Sequence, residues 1–132
     1  MSQESKDSVL EFLVNIANEH DFSLDLTLNV KGSLISGTLV SAKEYFETLS
    51  ETFEEGSEIS EKISEQLAEA SESAAKGGSE VHFIHMKNTK VYVGDSKPTP
   101  SKGKVLWRGS LGNVDGFFLG KIAESKTSTS KK

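Results

Sequence analysis

His82 and His85, with Glu80 close by, are the first side chains whose types suggest chemistry, because two imidazoles and a carboxylate can hold a metal ion. The residues around them read as a strand, in which positions three apart face opposite sides, so the two rings cannot share one ion. Both are expected as structural histidines, as is His20 at the end of a predicted helix, where an imidazolium favours the dipole. Serines are many, yet none sits in a Gly-x-Ser-x-Gly elbow. Gly109-Ser110-Leu111-Gly112 reads as a turn, since the lysine spacing of a phosphate loop and the dinucleotide fingerprint are both missing. The carboxylates between Glu44 and Glu72 line a solvated helix and do not meet in a pocket. No enzyme is expected, and no cofactor or metal. The C-terminal third combines Lys102, Lys104, Arg108 and Lys121 with Tyr92, Trp107, Phe117 and Phe118, a mixture that single-strand-binding barrels use. The net charge of −5, and the need of a core for those same aromatics, weigh against nucleic acid.

These residues must be positioned by a short chain. Its 132 residues set an expectation of one domain, and 35% hydrophobic with 27% charged residues is a globular composition. Without cysteine there is no disulfide or thiolate site, and a cytoplasmic protein is the default. No apolar run is long enough to span a membrane, and Met1 to Asp7 lacks the layout of a signal peptide. Charge is divided along the chain. Glu44 to Glu72 carries ten glutamates against Lys62, a net −9, and Lys87 onward carries ten Lys/Arg against Asp95, Asp115 and Glu124, a net +7. Two solvated faces would explain this division, and so would head-to-tail attraction between copies or a basic end aimed at an acidic partner.

Val9, Leu10, Phe12, Leu13, Ile16 and Ala17 recur at helical spacing. Ser8 with Glu11 forms a capping box, with Asp7 or Ser5 as the other possible caps. Phe22 to Val30 alternates with a period of two, Lys31-Gly32-Ser33 turns, and Leu34 to Val40 runs back, so residues 22–30 and 34–40 form a hairpin. Gly37 inside the second strand marks a bulge or bend. Ser41 with Glu44 caps a helix through about Glu55, carrying Tyr45, Phe46, Leu49 and Phe53. After an interruption at Gly56-Ser57, a thinner stripe of Ile59, Ile63, Leu67, Ala70 and Ala74 continues among glutamates. Val81–Met86 and Val91–Val93 read as strands around a polar break at Lys87 to Lys90. Val105–Gly109 and Val114–Leu119 are the last strands, beyond a proline-containing loop.

The fold expected is α+β: a small bent antiparallel sheet or half-open barrel of five to six strands, an N-terminal helix and a long acidic helix after the first hairpin. Residues 1–123 make one domain, with an acidic helical insertion at about 42–75, and residues 124–132 make a disordered basic tail. Phe12, Leu13, Leu26, Leu28, Leu39, Phe46, Leu49 and Phe53 are the expected core.

Several segments carry a resemblance. Leu26-Thr27-Leu28-Asn29-Val30 and Leu34-Ile35-Ser36-Gly37-Thr38-Leu39-Val40-Ser41-Ala42-Lys43-Glu44-Tyr45-Phe46 resemble the gas vesicle accessory proteins of the U type. So do Phe83 to Gly94, Asp95 to Lys104, Trp107-Arg108-Gly109 and Val114 to Gly120, in the same order. The resemblance implies a cytoplasmic, non-enzymatic protein associated with gas vesicles, the gas-filled shells that give cells buoyancy. Its implied partners are the vesicle shell or other gas vesicle proteins. Two roles fit: a self-associating adaptor that clusters vesicles, or an assembly chaperone for the apolar wall subunit. Self-association, as homo-oligomer or condensate, would join Glu58, Glu61, Glu65 and Glu69 to Lys102, Lys104, Arg108, Lys126, Lys131 and Lys132.

Overall fold

A computed structural model describes residues 7–76, 82–94 and 97–122. The expected tail at 124–132 lies outside these residues, as do Glu80 and Val81. Helix α1 (Ser8–His20) opens the chain and is capped by Asp7, whose carboxylate accepts from the amides of Val9 (2.9 Å) and Leu10 (3.2 Å). The expected capping box is thus replaced by one of its two alternatives. Leu10, Val14 and Ala17 form the buried stripe, with Leu13 at its flank. Phe12, expected in the core, is 60% exposed because it lies about 200° around the helix from Leu10.

Strands β1 (Leu24–Val30) and β2 (Ser33–Val40) pair antiparallel through a two-residue turn at Lys31 (φ 54°) and Gly32 (φ 91°). Two positive φ values give the turn the hand that matches strand twist. The backbone amide of Lys31 donates to Asp115 (2.9 Å), which ties this turn to the C-terminal part of the chain. Strand β3 (Phe83–Val93) runs on through the expected polar break. The interruption is a bulge around Asn88 (φ 54°), where the register slips against both neighbours. Gly37 faces it: a Cβ there would stand 2.9 Å from the Lys87 carbonyl oxygen and 2.8 Å from Thr89 Oγ1. The bulge anticipated at Gly37 is therefore present, with its extra residue on the facing strand.

Strand β4 (Val105–Ser110) pairs with β3, a 3-10 turn follows at Leu111–Asn113, and β5 (Gly116–Leu119) returns to pair with β1. The sheet is open, five-stranded and antiparallel in the order β4-β3-β2-β1-β5. One face carries Leu26, Leu28, Ile35, Leu39, Ile84 and Met86, buried under α1 together with Leu111 and Val114.

The acidic segment is an antiparallel pair of helices and not one long helix: α2 (Ala42–Thr52) and α3 (Glu58–Lys76), parted at Gly56-Ser57. Ser41 caps α2 as expected, accepting from the amide of Glu44 (3.0 Å). Asn18 of α1 accepts from the amide of Ala42 (2.9 Å) and pins that end. The helices meet through serines. Ser50 donates to the Ser64 carbonyl (2.9 Å), and Ser71 donates to that of Lys43 (3.2 Å). The buried stripe of α3 is Ser64 and Ser71 with half-buried Ser60, Leu67 and Ala74, while Ile59 is 65% and Ile63 37% exposed. The expected stripe is thus rotated about the helix axis, because small residues permit close approach and their hydroxyls bond across it.

Candidate functional site

α2 lies on the sheet face opposite α1, over one end of β3. His85 is buried there (5% exposed), its ring 4.8 Å from that of Tyr45 and 5.7 Å from that of Phe46. Arg108 on β4 donates from Nε to His85 Nε2 (3.1 Å), and its guanidinium stands 3.9 Å from the ring centre of Phe83. Burial, and secondarily the charge of Arg108, lower the pKa of His85 to about 4, so the ring is neutral at pH 7. His85 is thus packed as a neutral ring between α2 and β4, and His82 is exposed just ahead of β3. Among the described residues no group of three His, Asp or Glu could hold a metal ion. Phe46, Leu49 and Phe53 are half-buried in this layer and do not reach the main core. The reason is that α2 covers only one end of the sheet face.

Of the basic and aromatic residues of the C-terminal third, the fold brings Tyr92, Lys104 and Lys121 to one cleft and separates the rest. Trp107 and Phe117 pack against the core, and Phe118 is exposed on edge strand β5. Arg108 is engaged with His85 and Phe83, whereas Lys102 and Lys104 are exposed ahead of β4. Glu58, Glu61, Glu65 and Glu69 are all exposed on α3. Lys126, Lys131 and Lys132 lie outside the described residues.

Two concave surfaces of opposite charge result. A groove of about 380 Å³ along the α2–α3 pair is lined by Glu47, Glu51, Glu54 and Glu72 together with Ser50, Ala68 and Ser71. On the far end of the same sheet face, beyond the cover of α2, a cleft of about 230 Å³ is lined by Lys90, Lys104 and Lys121 with Ser36, Asn88, Tyr92 and Ile122. The Lys87–Glu44 ion pair (2.8 Å) marks the border between acidic helices and basic sheet. Sequence reasoning grouped Lys104, Lys121 and Tyr92 as a basic and aromatic set but missed Lys90 and the cleft itself, because its lysines are contributed by three separate segments of the chain. A further local signal was the period of two that places Lys90 and Tyr92 on the same face.

Among the described residues no helix is long and apolar enough to cross a membrane. No curated protein and no solved structure matches the chain. A family model described as Gas vesicle protein GvpU-like matches residues 7–122, in agreement with the resemblance carried by the strand and helix segments above, and the chain belongs to that family.

Proposed function

We propose that this gas vesicle accessory protein is a self-associating adaptor that binds gas vesicles and clusters them. The observation that carries the proposal is the spatial separation of charge: an acidic helical pair at one end of the molecule and a lysine-lined sheet face at the other. A head-to-tail contact between such unlike surfaces is not self-complementary and need not close at two copies, which lets association continue past a dimer. A protein with two such ends links the particles to which it is bound.

Co-flotation with intact purified vesicles tests the adaptor role. An adaptor rises with finished shells and gathers them into larger bodies visible by light scattering. A chaperone for the wall subunit would leave finished shells alone and bind only unassembled subunits. That second role draws support from the apolar side chains that α3 and β5 leave exposed, Ile59, Ile63, Phe118 and Leu119. Protein that stays in the infranatant with intact shells, yet keeps unassembled wall subunit in solution, would replace the adaptor role by the chaperone role.

A further inference from the structure

We propose that β5 is a docking edge for a second copy of this chain, the two β5 strands pairing antiparallel across a two-fold axis at Phe118. The sheet ends at β5, whose strand neighbour among the described residues is β1. Both ends of the strand are anchored. The Asp115 amide donates to the Asn29 carbonyl (2.7 Å), the Gly120 amide donates to the Asp25 carbonyl (2.8 Å), and Thr27 Oγ1 donates to the Gly120 carbonyl (2.9 Å). Beyond Gly120 (φ 100°) the chain leaves the strand and crosses to β2, where the Ile122 amide donates to Ser36 Oγ (2.7 Å). In an antiparallel ladder one residue turns its N–H and C=O to one neighbour, and the next residue turns them to the other. Asp25 and Asn29 bond towards β5, so Thr27, of the same alternation, does too. Phe118 stands opposite Thr27 and therefore faces β1, whereas Phe117 and Leu119 hold their N–H and C=O outward. The edge is a preformed template for one more strand.

Such edges are ordinarily guarded by a charge, a proline or a bulge. Gly116-Phe117-Phe118-Leu119 carries none of these, and Phe118 is 51% and Leu119 62% exposed. An apolar strand calls for an apolar partner, and β5 supplies one to itself. With Phe118 opposite Phe118 of the second copy on one face, Phe117 meets Leu119 of that copy on the other. This register also satisfies the ladder, because the outward-facing Phe117 and Leu119 then exchange backbone hydrogen bonds. Charge selects the direction. Asp115, its side chain 51% exposed, precedes the strand, and exposed Lys121 follows it. Antiparallel pairing brings each acidic end towards the other copy's basic end, and parallel pairing would set like against like. Charge selects the register too. An axis at Phe117 would put Asp115 opposite Leu119, and an axis at Leu119 would put Lys121 opposite Phe117.

Four residues make a small contact, so the pair is weak and forms at high protein concentration. It differs in kind from the head-to-tail contact proposed above and does not rest on it. Together the two contacts would let strings of copies branch. Sodium sulfate separates them, because it screens ion pairs and strengthens apolar burial. Sedimentation equilibrium of concentrated protein in that salt is the first experiment. Clusters held by charge should dissolve there, and a monomer–dimer equilibrium should remain. Leu119→Lys, a change at an exposed position, should weaken the dimer at least tenfold and leave the melting temperature unaltered. The chain has no cysteine, so Phe118→Cys supplies a clean second probe. Mild oxidation should join two copies of that variant, since residues facing each other across the axis stand within disulfide reach. Leu119→Cys, one residue off the axis, should cross-link at least tenfold more slowly. A parent that stays monomeric in sulfate, or a dimer unchanged in Leu119→Lys, overturns the proposal. So does Phe118→Cys that cross-links no faster than Leu119→Cys, or than Ile59→Cys on α3. Species larger than a dimer in sulfate would overturn it too, because they would make the contact heterologous.

Discussion

His85 sets the pH response of the fold at the scale of single residues. Its folded pKa, lowered to about 4, lies below the unfolded value of 6.5, so the unfolded chain takes up the proton first. The stability it protects is complete above pH 6.5, falls as pH drops towards 4, and loses no more below that. A difference of that size corresponds to about 3 kcal/mol across the window. Urea unfolding of the parent and of His85→Gln, which can still accept from Arg108 but does not titrate, should show the slope in the parent alone. Equal slopes in both would place the acid response elsewhere. Thr89 is a second residue with a legible consequence. Its hydroxyl is buried without a hydrogen-bond partner beside Gly37. Thr89→Val keeps the shape and removes the unsatisfied group, so it should raise stability by about 1 kcal/mol in the same assay. Gly37→Ala should do the opposite, because its new methyl would meet the backbone carbonyl of Lys87 at 2.9 Å.

At the scale of elements, the helical pair is the part whose packing departs most from its hydrophobic pattern. Ser50, Ser64 and Ser71 form a close interface, so Ser64→Leu should force α3 away from α2 and cost about 1–3 kcal/mol by overpacking. A gain in melting temperature for that variant would show the serine interface to be loose. Phe46→Ala should cost only about 2 kcal/mol, less than the ~3–5 kcal/mol of a fully buried phenylalanine, because its ring is only partly buried over His85. The hairpin, the α2 cap at Ser41 and the bulge opposite Gly37 were legible because each depends on local chemistry: alternation, a hydroxyl before a glutamate, a glycine within a strand. The buried faces of α1 and α3 were not. Val14 lines the core while Phe12 does not, a choice made by where the sheet lies and not by hydrophobicity. In α3 the apolar Ile59 and Ile63 lost the interface to smaller serines, which periodicity counted as polar. The lysine cleft depends on a chain crossing from β5 to β2, and no spacing in the sequence encodes that approach.

At the scale of the whole molecule, the fold turns a division of charge along the chain into a division in space. Glu58, Glu61, Glu65 and Glu69 stand exposed on α3, and Lys102 and Lys104 stand exposed ahead of β4. Any one exposed ion pair contributes only ~0–1 kcal/mol, so attraction between copies must come from many such contacts made together. It must also be short-ranged, since the Debye length is about 8 Å at physiological ionic strength and shrinks with added salt. Light scattering against protein concentration should therefore show association at low salt that dissolves as salt is raised. Glu58→Lys, Glu61→Lys, Glu65→Lys and Glu69→Lys combined should abolish it without disturbing the fold, because these side chains point away from the serine interface that holds α3 to α2. Mixing that variant with the parent should restore association, since the parent's acidic helices then face an added basic surface. A protein that remains monomeric at low salt and high concentration would end the electrostatic account. Clusters that grow with salt would end it too, and would shift the contact to apolar side chains, with Ile59 and Ile63 on the outer side of α3 as the first to replace.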